Sequence, residues 1–313
     1  MKIKDKRVVA AKTRSRLLTN KRLISLLSKL AWGQGFSPSS LPRVKFMRST
    51  VHVPRSPISY EPSIVIIGQG RKTGYLGVKR FVYDANHYLV LSVPLPFECE
   101  TEGTRNAPML GVSIGVAPAV ISELLMQIEQ TTPANGSPPQ AVQVGTLEDG
   151  LKDAAARLLE ALCSPNDARV LGPQIVREIT YRVLLGPLGH NLRSLAAPDS
   201  HFGQISRILN RIHADPARPY DLGELARQAG LSISTFHAHF KAVTSSSPLQ
   251  YLKNIRLHKA RMLMVHDGVN AGTAAARVGY ESQSQFSREF KRLFGNSPAT
   301  EASLLRDSLV RLT

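Results

Sequence analysis

The sequence has few cysteines and no long apolar run, and both absences exclude classes of protein. Cys99 and Cys163 are the 2 cysteines of the 313 residues, which are too few for a disulfide framework or a cysteine-rich zinc cluster. No uninterrupted apolar run reaches the length of about 18 residues that a membrane-spanning helix needs. The basic N-terminus also lacks the apolar core of a secretion signal. We therefore expect a cytoplasmic protein without a membrane partner.

Acidic residues are scarce, and their distribution along the chain is informative. The sequence contains 23 Asp and Glu against 40 Lys and Arg, for a formal net charge of +17. Residues 1–30 carry +9, residues 31–200 carry +1 and residues 201–313 carry +7. A nearly neutral middle is typical of a sensing or pairing module. The two basic ends are typical of surfaces that meet phosphate groups.

The C-terminal third contains an internal repeat, which indicates one structural unit used twice. The two units are offset by 50 residues from their shared phenylalanines onward. Upstream of these phenylalanines the offset is 49 residues, so that Gly230 corresponds to Gly279. The residues of the first unit that recur 50 positions later are Phe236, Phe240, Lys241 and Ser247-Pro248, matched by Phe286, Phe290, Lys291 and Ser297-Pro298.

The sequence of each unit predicts a helix, a tight turn and a second helix. In the first unit Asp221 is a helix-start signal, Gly230 favours a helix end and Ser232 favours a new helix start. At 100° per residue, the phenylalanines of each second helix lie on one face and polar or small residues lie on the other. The candidate DNA-binding residues are Ser234, Thr235, His237, Ala238 and Lys241 in the first unit, and Gln283, Ser284, Gln285, Ser287, Arg288, Lys291 and Arg292 in the second.

The residue types on these outward faces suit a DNA major groove. Arginine recognises guanine edges, glutamine recognises adenine, and lysine holds phosphate. Ordinary amphipathic helices are the alternative, but the duplicated glycines, phenylalanines and Ser-Pro pairs disfavour it. Between the units, residues 248–266 predict a rod of roughly 28 Å. A rod of this order can hold two recognition helices in successive major grooves, which lie about 34 Å apart.

These motifs resemble the DNA-binding domain of AraC/XylS-type regulators. The resemblance implies a transcription regulator that binds double-stranded DNA. Activation, with RNA polymerase as a further partner, is the expectation, and repression is the alternative. The residues that carry it are Leu225-Ala226, Gly230-Leu231-Ser232, Phe236, Phe240-Lys241, Ser247-Pro248, Tyr251, Arg256, Ala260 and Leu263 in the first half, and the run from Ala276 to Lys291 in the second.

The middle of the chain predicts short strands and then helices. Residues 63–67 form an apolar strand, residues 71–74 a turn, and residues 110–116 another strand. Residues 81–83 and 88–93 flank Asp84-Ala85-Asn86 and predict a hairpin. Helices are expected from Pro118 to about residue 130, over residues 147–162 and from Pro173, with a loop over residues 131–140.

This middle region is similar to the N-terminal domain of one branch of AraC-type regulators. The similarity implies a cupin-like β-barrel that binds an unidentified small-molecule effector, and helices that form a homodimer. Cupin enzymes hold a metal through a His-x-His pair with further ligands, whereas His52 and His87 stand alone here. We therefore expect no metal, no cofactor and no enzymatic activity. The residues that carry the resemblance are Tyr60 to Ile64, Gln69-Gly70, Tyr83-Asp84, His87 to Val90, Ser92-Val93 and Pro96.

Together these patterns predict an α+β protein. Its N-terminal part is a cupin-like β-barrel with flanking helices, and its C-terminal part is an all-α domain with two helix-turn-helix motifs. The predicted boundaries are a basic leader over residues 1–19, a sensing and dimerisation domain over 20–190, a linker over 191–203 and a DNA-binding domain over 204–305. The alternatives are a cupin-type enzyme tethered to DNA, an effector-independent regulator, and a redox sensor at Cys99.

Overall fold

The computed structural model describes residues 18–128, 139–197 and 200–310 of the chain. The predicted leader lies outside the described residues up to residue 17, and residues 18 and 19 begin a helix. The predicted loop over 131–140 also lies outside them, apart from its last two residues. The described strands are β1 (Gly35–Pro38), β2 (Val44–Ser49), β3 (Val53–Tyr60), β4 (Ser63–Gln69), β5 (Arg71–Leu76), β6 (Lys79–Asp84), β7 (His87–Leu91), β8 (Leu95–Glu102), β9 (Met109–Gly115) and β10 (Val142–Thr146).

Helices surround these strands and form the whole C-terminal third. The fold class is therefore α+β, as the sequence predicts. The described helices are α1 (residues 18–30), α2 (Pro118–Gln127), α3 (Asp149–Ala161), α4 (Pro165–Val170), α5 (Gly172–Leu185), α6 (Gly189–Arg193), α7 (His201–Ala214), α8 (Leu222–Gln228), α9 (Ile233–Thr244), α10 (Pro248–His266), α11 (Ala271–Arg277), α12 (Gln283–Phe294) and α13 (Pro298–Val310).

The strands form two antiparallel sheets that face each other. One sheet has the order β1-β2-β9-β4-β7-β10 and the other has the order β3-β8-β5-β6. The middle of β4, residues 64–67, is apolar, and both of its faces are covered. Ile64 and Ile66 pack towards the helices, and Val65 and Ile67 pack into the interior between the sheets. No ladder joins the two sheets among the described strands, so the cupin-like unit is an open sandwich and not a closed barrel.

The predicted hairpin around residues 84–86 is wrong. Strand β6 pairs with β5, whereas β7 pairs with β4 and β10 in the other sheet. The turn itself is well formed, because the Asp84 carboxylate accepts the Asn86 backbone N–H at 2.9 Å and contacts His87 Nδ1 at 2.8 Å. The pattern identified a turn but could not show that it connects different sheets.

The turn predicted over residues 71–74 is also wrong, because these residues lie in β5. The chain changes direction one residue earlier, at Gly70, where φ is +79°. A Cβ atom at this position would lie 2.8 Å from the Glu102 carbonyl oxygen. Both the conformation and the space therefore require glycine at the corner between the two sheets.

The segment predicted as an irregular linker contains regular structure. Helix α6 and a 3-10 turn over Ser194–Ala196 occupy most of its first half. Asn191 and Leu192 are fully buried, and the Asn191 side-chain oxygen accepts the Gln140 backbone N–H at 2.9 Å. The described part of this segment is packed against the sandwich domain.

The two repeat units end their second helix with the same backbone conformation but with different residues. Ser245 follows α9 with φ +57°, and Gly295 follows α12 with φ +84°. Each residue lets its backbone N–H reach the carbonyl four residues earlier, at 2.8 Å in both units. Serine at this position carries the steric cost of a left-handed L-residue, whereas glycine does not.

We therefore predict opposite stability effects for the two exchanges. Ser245→Gly should raise the free energy of unfolding by about 0.5–1 kcal/mol, and Gly295→Ser should lower it by about 1 kcal/mol. No described atom lies within 4 Å of a Cβ built at Gly295, so the second cost is one of backbone conformation alone. Urea unfolding of both variants measures it, and shifts of the same sign would contradict the prediction.

Candidate nucleic-acid interface

The internal repeat extends to the hydrogen bonds that begin each helix. In the first unit the side chains of Asp221, Ser232 and Ser247 each accept the backbone N–H three residues later, at 2.8, 3.2 and 3.3 Å. Asn270, Ser282 and Ser297 do the same in the second unit, at 2.8, 3.3 and 3.3 Å. Six helices thus begin with the side-chain caps that the sequence favours.

The turn inside each unit depends on a glycine. Gly230 has φ +69° and Gly279 has φ +82°. At Gly279 a Cβ atom would also lie 2.4 Å from the Ala217 carbonyl oxygen, so the second unit packs directly against the loop that precedes the first. The glycines place α9 and α12 at equivalent positions in their units.

Phenylalanines anchor the inner faces of α9 and α12. Phe236 and Phe240 are fully buried with ring centroids 5.5 Å apart, and Phe286 and Phe290 repeat this arrangement at 5.5 Å. Because the inner faces match, the outer faces of the two helices present equivalent positions.

On α9, three of the predicted contact residues are exposed: Ser234, Ala238 and Lys241. Thr235 and His237 are half-buried at the flanks, and Thr235 shares a hydrogen bond of 2.8 Å with the hydroxyl of the cap Ser232. The structure thus places these five residues on one helix, with the three central ones open to solvent.

On α12, the predicted residues form a longer and more strongly charged row. Ser287 is half-buried, and the exposed members are Gln283, Ser284, Gln285, Arg288, Lys291 and Arg292. Arg288 and Lys291 lie one helical turn apart on this face. Among the ion pairs found in the described residues, none involves either side chain, so both charges are available to an external anion.

The carboxylate of Glu289 on α12 binds several neighbouring side chains, and sequence reasoning did not identify this residue. Its carboxylate accepts hydrogen bonds from Lys253 Nζ at 2.7 Å, the Tyr280 hydroxyl at 2.8 Å and Gln285 Nε2 at 3.2 Å. Burial opposes ionisation, but these donors outweigh it and lower the pKa of Glu289. Gln285 therefore has its amide nitrogen held by Glu289.

Helix α10 connects the two units through both of their cores. Tyr251 and Ile255 pack into the core of the first unit, and Ala260 and Met264 pack into that of the second. Its 19 residues correspond to about 28 Å. One rigid element therefore sets the separation of α9 and α12.

Arg256, near the middle of α10, ties the units together with directional bonds. Its guanidinium group donates to the carbonyl oxygens of Pro216, Gly279 and Arg218 at 2.8, 3.0 and 3.1 Å. Two of these acceptors precede the first unit and one lies in the turn of the second. The planar fork of arginine matches three fixed acceptors in a way that lysine cannot.

Helix α10 also docks on the four-stranded sheet. The buried Tyr251 hydroxyl donates to the Pro94 carbonyl oxygen at 2.6 Å. Arg261 Nη2 donates to the Pro57 carbonyl oxygen at 3.1 Å, and its guanidinium carbon lies 4.3 Å from the centre of the Phe294 ring. The helical third is thus joined to the sandwich through strand β3 and the start of β8.

Two family profiles match the chain over the regions just described. A profile described as the AraC-type transcriptional regulator N-terminus matches residues 40–191, and a helix-turn-helix domain profile matches residues 225–302. The chain belongs to the AraC-type transcriptional regulators. The first match runs from β2 into α6, and the second runs from within α8 into α13 and so spans most of both helix-turn-helix units.

Curated relatives match over part of their own length. The HTH-type transcriptional regulator AlkR of Acinetobacter baylyi is 38% identical over 95 residues, which are 30% of this chain and 31% of AlkR. The HTH-type transcriptional activator RhaR of Pectobacterium atrosepticum is 28% identical over 173 residues, which are 54% of this chain and 60% of RhaR. The matches thus span 31% to 60% of the length of these relatives.

A solved structure shows the same fold over most of the chain. Fatty-acid-bound ToxT from Vibrio cholerae has a TM-score of 0.57 at 12% identity, and the alignment covers 84% of this chain and 96% of ToxT. At this identity the likeness concerns the fold. It agrees with the predicted α+β architecture, a sheet-rich N-terminal unit followed by a helical domain with helix-turn-helix motifs.

Neither a metal-ligand cluster nor a helix that could span a membrane is found within the described residues. There, no group of three or more His, Cys, Asp or Glu side chains is placed to hold a metal ion. The described helices include none that is both long and apolar enough to cross a bilayer.

We predict that Arg256→Lys loosens the connection between the two units. An ammonium group cannot donate to three separated carbonyls as the guanidinium does, so the free energy of unfolding should fall by about 1–2 kcal/mol. Arg277→Lys, at an exposed position of α11, is the matched control and should change it by less than about 0.5 kcal/mol. Urea unfolding compares them, and equal effects would show that the three bonds contribute little.

Proposed function

We propose that the chain is a transcription activator that binds double-stranded DNA with α9 and α12 in neighbouring major grooves. The observation that carries the proposal is the pair of equivalent helices with exposed polar rows, held at one separation by α10. Relatives such as RhaR are transcriptional activators, which supports activation and RNA polymerase as a further partner. These relatives are regulators, and we assign the chain no catalytic role.

The proposed DNA contacts are the twelve residues predicted from the sequence. We propose that Arg288 and Gln285 recognise bases, and that Lys241, Lys291 and Arg292 hold phosphate groups. The exposure of the charged members supports this division. The flanking contacts are Ser234, Thr235, His237 and Ala238 on α9, and Gln283, Ser284 and Ser287 on α12.

The two helices should differ in how specifically they recognise sequence. Ala238 and Arg288 occupy the same position in the repeat, and both are exposed. Alanine offers only apolar contact, such as to a thymine methyl group, whereas arginine can make a bidentate contact with guanine. We therefore assign the stronger base specificity to the half-site bound by α12.

The proposal includes a division of labour along the chain. We assign effector sensing and dimerisation to residues 20–190, DNA binding to residues 204–305, and their connection to residues 191–203. Exposed apolar side chains on α4 and α5, including Val170, Tyr181 and Leu185, support a homodimer through these helices. The fatty-acid-bound ToxT structure supports an effector site in this fold. A regulator of this kind acts in the cytoplasm, where the chromosome lies.

Arg288→Ala should relax sequence preference at one or two base pairs of the operator. Loss of a bidentate contact removes about 1–3 kcal/mol of discrimination against the wrong base. Binding to a series of single-base operator variants measures this. If Arg288→Ala loses the same factor on every variant, Arg288 contacts phosphate and the base-recognition role is wrong.

Lys291 lies one helical turn from Arg288 on the same face of α12, and Lys291→Ala is therefore the variant matched to Arg288→Ala. It should weaken binding to all operator variants alike and lower the salt dependence of log K by about one unit, because one phosphate contact is lost. Affinities measured between low and moderate salt test this. An unchanged slope would show that Lys291 does not contact DNA.

A further inference from the structure

Gln285, one of the two proposed base contacts on α12, is attached to an acidic residue that lies beneath the DNA-facing surface. Its amide nitrogen Nε2 donates to Glu289 Oε1 at 3.2 Å, one helical turn further along α12. Gln285 is exposed, whereas only 13% of the Glu289 side chain is. A side chain proposed to meet a base is thus held from below.

Two other donors hold the Glu289 carboxylate in place. Lys253 Nζ of α10 donates to Oε1 at 2.7 Å, and the Tyr280 hydroxyl, from the turn that precedes α12, donates to Oε2 at 2.8 Å. Because these donors come from different elements, rotation of the carboxylate would break at least one of the bonds. Glu289 therefore offers Gln285 an acceptor in a fixed position.

The ionisation of Glu289 determines which end of the Gln285 amide can face it. Burial opposes ionisation, but the bonds from Lys253, Tyr280 and Gln285 outweigh it and lower the pKa of Glu289. An ionised carboxylate accepts hydrogen bonds and cannot donate them. If the Gln285 amide turned over, its carbonyl oxygen would face a carboxylate oxygen, and an attraction would become a repulsion. Only one orientation of the amide is therefore compatible with Glu289.

An amide fixed in this way leaves its carbonyl oxygen and its second N–H for another partner. At its major-groove edge adenine offers an amino group and the N7 acceptor, which match this pair, and cytosine offers an amino group. Guanine and thymine have no amino donor at that edge. The fixed orientation thus favours adenine, and cytosine after it, over guanine and thymine.

The first unit has no counterpart of this arrangement among the described residues, which include all of α9. At the 50-residue offset, Thr235 corresponds to Gln285 and His239 to Glu289. The Thr235 hydroxyl bonds to the helix cap of α9 instead, and the His239 ring lies 4.3 Å from the ring of His201. No acidic residue occurs in α9. The arrangement is therefore particular to the second recognition helix.

We propose that Glu289 is a positioning residue for base recognition, which fixes the Gln285 amide so that α12 prefers adenine at the base pair that Gln285 contacts. The inference rests on the proposed contact between Gln285 and a base. It adds the residue that orients this contact and the base that the orientation selects. Glu289 acts on DNA only through Gln285, and its bond to Lys253 links the contact to α10.

The test measures binding of the full-length protein, at one salt concentration, to operator duplexes that differ at single base pairs. Gln285→Ala identifies the base pair that Gln285 contacts, because preference among bases is lost there. Glu289→Gln keeps the side-chain size but can both donate and accept, so the Gln285 amide can turn over. At that base pair, Glu289→Gln should lower the preference for adenine over guanine and thymine about fivefold or more. The preference at the base pair contacted by Arg288 should not change.

A charge control and a double substitution separate positioning from other effects. Glu281→Gln, at an exposed position in the turn before α12, removes the same charge and should change affinity for all duplexes alike, with base preference intact. In the Gln285→Ala background there is no amide to orient, so Glu289→Gln should change no base preference. The same change in both backgrounds would show that Glu289 acts on the helix as a whole, and it would overturn the proposal.

Three further outcomes would also overturn the proposal. In the first, Gln285→Ala changes the preference at no base pair. In the second, Glu289→Gln keeps the wild-type preference at the Gln285 base pair, and in the third it binds no duplex, which would make Glu289 a residue required for the fold. All three concern the variants alone. Wild-type protein that bound every duplex with the same affinity would contradict the proposed function itself.

Discussion

The structure of the helical third depends on one constraint, the insertion of α10 into two cores at once. Its first half packs with Phe236 and Phe240, and its second half packs with Phe286 and Phe290. Arg256 adds three hydrogen bonds across the junction. Two helix-turn-helix units that share a continuous helix cannot reorient independently, so the spacing of α9 and α12 is a property of the fold.

The same helix joins the DNA-binding part to the sandwich. Tyr251 and Arg261 of α10 donate to backbone carbonyls of Pro94 and Pro57. Pro57 lies within β3 and Pro94 directly precedes β8, so these backbone acceptors move with the strands. A ligand inside the sandwich that shifts β3 or β8 would therefore act directly on the element that positions both recognition helices, and a specific relay of side chains is not required.

Local features could be predicted from the sequence, whereas pairings between distant residues could not. Side-chain caps, left-handed glycines and buried phenylalanines depend on residues within one or two turns, so the repeat predicted both units and their outward faces. The turn at Asp84 was also predicted from the sequence. The sheets that its two flanking strands join were not, because β6 pairs with β5 and β7 pairs with β10. The organising roles of Glu289 and Arg256 were not predicted. All the partners of Arg256, and Lys253 as a partner of Glu289, lie 23 to 40 residues away in the sequence. The other two partners of Glu289, Tyr280 and Gln285, are closer in the sequence.

The spacing imposed by α10 is tested most directly by hydroxyl-radical footprinting of the full-length protein on an operator that contains one binding site. Each subunit should protect two short segments on one face of the duplex, with centres about 10 base pairs apart. The separation should stay the same on operators of different sequence. A single protected segment per subunit, or a separation that varies between operators, would contradict the claim that one helix holds both recognition helices at a fixed distance.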